Sequence, residues 1–220
     1  MITQLYEISS PKEVQLCLDV GVDHIGILVG HGNFPREVSP SDAAMLANSF
    51  RGQAKVVALS LSASLDEIKE VARIVSPDIL HLGAAPEELS LNDVVKIKQA
   101  FPNLPIMRSI PMVDDDAISL AQSYEGLADW FLLDSHAPGD KQIGALGVTH
   151  DWDLSARLVQ AVSTPCILAG GLGPDNVAAS MAAVQPAGVD SKTRTDIDDT
   201  HKKDPDKVRA FVQNSVMVES

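Results

Sequence analysis

A closed α/β barrel of eight strand–helix units is the fold this sequence predicts, on three observations. Strand-length apolar runs alternate with stretches of helical period from one end of the chain to the other, eight of each. Such alternation implies parallel pairing through right-handed crossovers. The 220 residues fit eight complete units into one compact (β/α)8 (TIM) barrel better than into a doubly wound open sheet. No linker or low-complexity stretch divides them, so residues 1–220 read as a single domain.

The first unit joins an apolar run at 2–8 to a helix pattern at 11–20, opened by Ser10 as N-cap with Pro11 in the first turn. The second joins 24–29 to 40–50. The third joins 55–61 to 65–75, with Ser64 as its cap. The fourth pairs 78–82 with 91–101, and the fifth pairs 105–110 with 117–123. In the sixth, 130–134 leads to 153–162 with Asp153 as the expected cap. The seventh strand, 165–169, stops at Gly170-Gly171 before a helix at 175–184. The eighth unit joins 187–190 to 204–214, where Asp204 and Pro205 repeat the cap-plus-proline signal.

Composition narrows the function. A net charge of −13 argues against nucleic acid or an anionic membrane surface as partner. No run reaches the roughly 18 apolar residues of a membrane span, and no basic-then-apolar leader opens the chain. Cys17 and Cys166 sit in apolar patterns without metal-ligand spacing, so a reduced cytoplasm is the expected location. A small anionic substrate then requires a locally positive site, for which Arg36, Arg108, Lys192 and Arg194 are the candidates.

In such a barrel the chemistry sits at the C-terminal strand ends. That selects Tyr6, Glu7, residues 31–36, 60–62, His81, Arg108, Ser109, residues 134–136, the Gly170-Gly171 turn and residues 190–194. The glycine turn brings backbone close to a ligand, and a helix start behind it offers free N–H groups to a phosphate. The run Asp190-Ser-Lys-Thr-Arg-Thr195 faces the same spot one strand later. Asp134 ends an apolar strand, where an unpaired carboxylate is costly. Arg108, inside a strand, is expected in the barrel mouth against Asp134 or Glu7. His31, His81 and His136 share no local ligand motif, so neither metal nor cofactor is expected. Asp198, Asp199, His201, Lys202 and Lys203 read as a solvated charged loop.

Five stretches in register resemble the phosphoribosylanthranilate isomerase family. Phe34-Pro-Arg-Glu-Val-Ser-Pro40 is similar to its S-x-R-x-V-[ST]-P loop. Leu132-Leu-Asp-Ser135 and Gly144-Ala-Leu-Gly-Val-Thr-His-Asp-Trp152 resemble L-L-D-[ST] and G-G-T-G-x-x-F-D-W. Ile167-Leu-Ala-Gly-Gly-Leu-Gly-Pro-Asp-Asn176 resembles L-A-G-G-L-x-P-x-N, and Gly188-Val-Asp190 with Lys203-Asp-Pro205 closes the series.

The resemblance implies an Amadori rearrangement: a general acid opens the sugar ring and a general base removes the proton at C2. It makes Asp134 the acid and sets Arg36 against the anthranilate carboxylate. Gly170, Gly171, Ser191 and Thr193 would hold phosphate, with Asp190, Lys192 and Arg194 beside them. The family's base is the cysteine of K-[IV]-C-G, which here reads Gln4-Leu-Tyr-Glu7. Tyr6 takes the cysteine position and Glu7 the glycine position. A phenol with a reference pKa of about 10 is a poor base, so Glu7 or His81 is expected to replace it. His81 itself stands at the glutamine of the family's Q-L-H-G, and Lys192-Thr-Arg194 replaces its S-S-G.

These residues support an aldose–ketose isomerase acting on a phosphorylated pentose or related sugar phosphate. Phosphoribosylanthranilate isomerase of tryptophan biosynthesis is one alternative, and a non-catalytic sugar-phosphate-binding barrel another. The expected partner is a phosphorylated small molecule, and the expected assembly a monomer or homodimer.

Overall fold

The computed structural model describes residues 1–137, 139–141, 143–144, 149–198 and 200–216. Residues 145–148 of the sixth-strand motif, Asp199 of the charged loop and the last four positions of the domain lie outside the described residues. Eight parallel strands close into a barrel in chain order: β1 (Ile2–Leu5), β2 (His24–Leu28), β3 (Lys55–Ser60), β4 (Ile79–Leu82), β5 (Ile106–Pro111), β6 (Trp130–Asp134), β7 (Cys166–Leu168) and β8 (Gly188–Ser191). The helices are α1 (Pro11–Val20), α2 (Pro40–Asn48), α3 (Leu65–Val75), α4 (Leu91–Ala100), α5 (Asp116–Ser123), α6 (Trp152–Ala161), α7 (Val177–Val184) and α8 (Pro205–Val216). A 3-10 turn, Thr193–Thr195, follows β8.

Helix starts follow their side-chain caps. Ser10 and Ser64 accept from the N–H groups of Glu13 and Glu67, and Asp204 accepts from those of Asp206 and Lys207. Asp151, not Asp153, caps α6, because its side chain accepts from the Asp153 N–H. Helix α7 begins at Val177 rather than 175. Asn176 explains the delay: its side chain accepts from Gly173 N–H and donates to the Gly171 carbonyl, closing a turn first.

Strand alternation sends side chains into two cores. Outward residues such as Leu5, Ile25, Leu80, Ile110, Phe131 and Leu133 meet the helices. Inward residues Tyr6, Val57, Ile79, Met107, Leu132 and Ile167 fill the barrel. Each fully buried Leu, Ile or Phe contributes roughly 1.5–3 kcal/mol. Pairing of β1 with β8 seals the barrel in the register Ile2↔Gly188 to Leu5↔Ser191. Gly188 is required there, since a Cβ on it would lie 2.8 Å from Ile2. That register sets Tyr6 and Glu7 beside Lys192.

Candidate active site

Two loops form a hollow at the C-terminal end of β7 and β8. Gly170 and Gly171 turn with φ of 79° and 60°, and a Cβ on Gly170 would press on His150 and the Ser135 backbone. The Ser191 hydroxyl donates to the Leu172 carbonyl and ties the loops together. Backbone N–H groups of Gly170, Gly171, Leu172, Lys192, Thr193 and Arg194 find no acceptor among the described residues. They surround a space of about 20 Å³ that Asp134 and Asp190 also line. Arg194 forms its outer wall, held 2.7 Å from Asp175. Both members of that pair are exposed, and such pairs contribute only about 0–1 kcal/mol, so this wall opens at little cost.

Asp134 closes the inner side. Its Oδ1 accepts from the Ser135 N–H at 2.8 Å, and its Oδ2 lies where a Cβ on Gly144 would be, 2.0 Å away. Burial outweighs the Ser135 hydrogen bonds and pushes its carboxyl up to about 7. Asp190 is also raised, by burial and then by the Asp134 charge, against a hydrogen bond from Gln4. Two carboxyls that hold their protons to higher pH thus face one mouth.

A second hollow of about 60 Å³ adjoins the first, lined by Tyr6, Glu7, His81, Asp134, Asp190 and Lys192 among others. The Tyr6 ring lies against Gly26, where a Cβ would come within 2.2 Å of it. Its hydroxyl is 2.5 Å from His81 Nδ1, and His81 Nε2 is 2.7 Å from Ser109 Oγ. Burial, then the nearby Arg108 charge, pulls His81 down to about 3. Burial, then Asp190 and Asp134, pushes Tyr6 further up. The chain Tyr6–His81–Ser109 is therefore neutral at physiological pH, and both imidazole nitrogens are engaged.

Strand alternation alone would turn Glu7 away from Tyr6. In the structure β1 ends at Leu5 and Glu7 has φ of 59°, so both side chains line the same hollow. Left-handed backbone costs a non-glycine residue roughly 1–2 kcal/mol. Glu7 Oε2 lies 3.3 Å from Lys192 Nζ.

Two expected site residues lie elsewhere. Arg108 does not enter the mouth. Being one residue out of phase with the inward Met107 and Ser109, it faces the helix layer. There it donates to the carbonyls of Leu82 and Ala84 and stacks over Tyr124, 5.2 Å from the ring centre. Arg36 is drawn to an outer groove by Glu13 at 2.5 Å and by the carbonyls of Glu7 and His201. His31 pairs with Glu70 on the exterior. Among the described residues no group of three His, Cys, Asp or Glu side chains is arranged to hold a metal.

Lys203 corrects the reading of a solvated loop. It is buried and donates to Asp196 Oδ1 at 2.7 Å, Thr195 Oγ1 and the Lys192 carbonyl, bracing the turn after β8 from behind. The available signal was its place in the Lys203-Asp-Pro205 stretch. Ser109 and Ser135, the partners of His81 and Asp134, carried no signal beyond adjacency to strand ends.

A family model described as N-(5'phosphoribosyl)anthranilate (PRA) isomerase matches residues 4–214. A curated relative of that name from Rhizobium rhizogenes is 32% identical over 207 residues, covering 93% of this chain and 89% of the relative. Another, from Xanthomonas euvesicatoria, is 33% identical over 208 residues, covering 91% and 86%. Among solved structures, the isomerase of Thermotoga maritima matches with a TM-score of 0.79 at 22% identity over 98% of both chains. One solved in complex with reduced 1-(o-carboxyphenylamino)-1-deoxyribulose 5-phosphate matches at 0.76 and 21%, again over 98% of both. Those two likenesses show the shared barrel; the family match and the curated relatives show more. The chain belongs to the N-(5'-phosphoribosyl)anthranilate isomerase family.

Proposed function

We propose that this chain isomerises N-(5'-phosphoribosyl)anthranilate to 1-(o-carboxyphenylamino)-1-deoxyribulose 5-phosphate, a step of tryptophan biosynthesis. The observation that carries the reading is the half-buried Asp134 carboxyl, titrating near 7, beside a turn whose N–H groups find no acceptor among the described residues. A carboxylic acid still protonated near neutrality is matched to general-acid work. A phosphate dianion in the adjoining hollow favours that protonated form further.

The chemistry then needs two positions. Asp134 gives its proton to the ring oxygen, the C1–O bond breaks, and the nitrogen lone pair forms an iminium. Glu7 takes the proton from C2, and the released electron pair forms C1=C2 while neutralising the nitrogen. Protonation at C1 and loss of the O2 proton complete the ketose. Glu7 is supported as base because it lines the mouth in strained backbone, and such strain gathers at functional sites. Tyr6 and His81 are shifted away from accepting or releasing a proton near neutrality. Phosphate is held by the N–H groups of the Gly170-Gly171 turn and of residues 192–194, with Ser191 fixing the loops.

The test is direct: purified protein is mixed with N-(5'-phosphoribosyl)anthranilate and the loss of anthranilate fluorescence is followed. Asp134→Asn should lower kcat at least ~100-fold and leave inorganic-phosphate affinity within about twofold. Phosphate binding without turnover in the unmodified protein refutes the enzyme and leaves a sugar-phosphate-binding barrel.

A further inference from the structure

Two departures from the family pattern meet across the β1–β8 seam. Glu7 stands at a glycine position and Lys192 in a small-residue loop, and they form an ion pair at 3.3 Å. Among the described residues, Lys192 is the cation placed between the two hollows. Lys203 is buried with three acceptors. Arg194 pairs with Asp175, donates to the Gly171 carbonyl and lines the first hollow without reaching Glu7, and Arg36 is held by Glu13 and two carbonyls. Besides Glu7, the Lys192 ammonium meets His201 Nδ1 at 3.0 Å and Asp196 at 3.9 Å, and Lys203 already occupies Asp196. The Lys192 side chain is 13% exposed and lines both hollows, whereas Glu7 lines only the mouth.

We propose that Lys192 is a shared cation that couples phosphate binding to release of the Glu7 carboxylate. It pairs with Glu7 until a phosphate group enters the neighbouring hollow, and then moves to the phosphate. The inference rests on the sugar-phosphate reading of this site. A dianion among unengaged N–H groups attracts an ammonium more strongly than one carboxylate does. The carboxylate left behind is open toward the mouth and has lost its nearest cation, with His201 4.0 Å away, which suits it to take a proton from C2. Base and substrate would thus be brought into play together, and a sugar without phosphate would leave Glu7 clamped.

The experiment measures inorganic-phosphate affinity by titration calorimetry for the unmodified protein, K192M, E7Q and the double variant. K192M should bind about tenfold more weakly, through loss of one charge-assisted contact. E7Q should bind several-fold more tightly, because the ammonium no longer has to leave a carboxylate. The double variant should match K192M within about twofold, since Glu7 acts on phosphate only through Lys192. K192R, which keeps the charge, should restore affinity to within about threefold of the unmodified protein. Unchanged affinity in E7Q, or an E7Q gain that persists without Lys192, overturns the coupling. Turnover of N-(5'-phosphoribosyl)anthranilate is measured alongside. Turnover with these affinities unmoved refutes the coupling alone, and absence of both phosphate binding and turnover in the unmodified protein removes both readings.

Discussion

Asp134→Asn should change stability with opposite sign at the two ends of the neutral-to-acid range. In the folded chain this carboxyl titrates near 7, against an ordinary value of 3.8. Between those pH values the folded state holds a proton that the unfolded chain has lost. Stability therefore falls as pH rises through that window and levels off above it. At about 1.36 kcal/mol for each of roughly three pH units, the upper bound is about 4 kcal/mol. Water at the open barrel mouth reduces this to about 2 kcal/mol. An amide cannot ionise, keeps an acceptor for the Ser135 N–H, and escapes that cost at pH 8. Near pH 4 both side chains are neutral, and the new N–H group beside Gly144 lacks an acceptor among the described residues, costing about 1 kcal/mol. The N–H cost is present at both pH values, so urea unfolding followed by circular dichroism should find the variant about 1 kcal/mol more stable at pH 8 and about 1 kcal/mol less stable at pH 4. A difference independent of pH refutes the assignment of a carboxyl raised to about 7. The same proton predicts that kcat/KM falls about tenfold per pH unit above roughly 7.

Three further outcomes follow from the same geometry. Glu7→Gly should be about 1 kcal/mol more stable than Glu7→Gln, since both lose the Lys192 contact and only the glycine relieves φ of 59°. Thermal melts should separate the two by about 2–4 °C, and equal melting temperatures refute the strain. Gly26→Ala places a Cβ 2.2 Å from the Tyr6 ring and should cost about 2–3 kcal/mol in denaturant melts; adding Tyr6→Ala should recover at least half of it. Gly144→Ala, strained at φ of 95° and 2.0 Å from Asp134 Oδ2, should lower kcat at least ~10-fold with phosphate affinity retained, and unchanged kcat would show that Asp134 is not held there.

The barrel was legible in the sequence because each of its signals is local. Ser10-Pro11 and Asp204-Pro205 announce helix starts, and the apolar runs break where strands end. Trp130–Asp134 occupies its expected span without adjustment. The glycine turn was legible for the same reason. What sequence could not carry was direction. Arg108 and Ser109 are neighbours on β5, and a phase of one residue decides which faces the mouth. The run from Ile2 was expected to stay extended through residue 8, and its left-handed turn at Glu7 is imposed by packing that apolarity does not encode. Partners far apart in the chain, such as Glu13 with Arg36 or Asp196 with a buried Lys203, decide which charges are spent before a substrate arrives.

That last point bears on how this chain departs from its family. Tyr6, which the motif resemblance sets at the position of the thiol, needs space, which Gly26 supplies, and a buried partner for its hydroxyl, which His81 supplies. His81 in turn ends on Ser109, so the replacement is satisfied at every atom, as a buried polar chain must be. Burial, with Arg108 near His81 and with Asp190 and Asp134 near Tyr6, holds both groups neutral, far from the pH at which a base exchanges protons. The titratable groups left at the mouth include Glu7, paired with Lys192, and Asp134, beside the Gly170-Gly171 turn. In the reading proposed above, the charge for proton abstraction is that of Glu7 in this mouth.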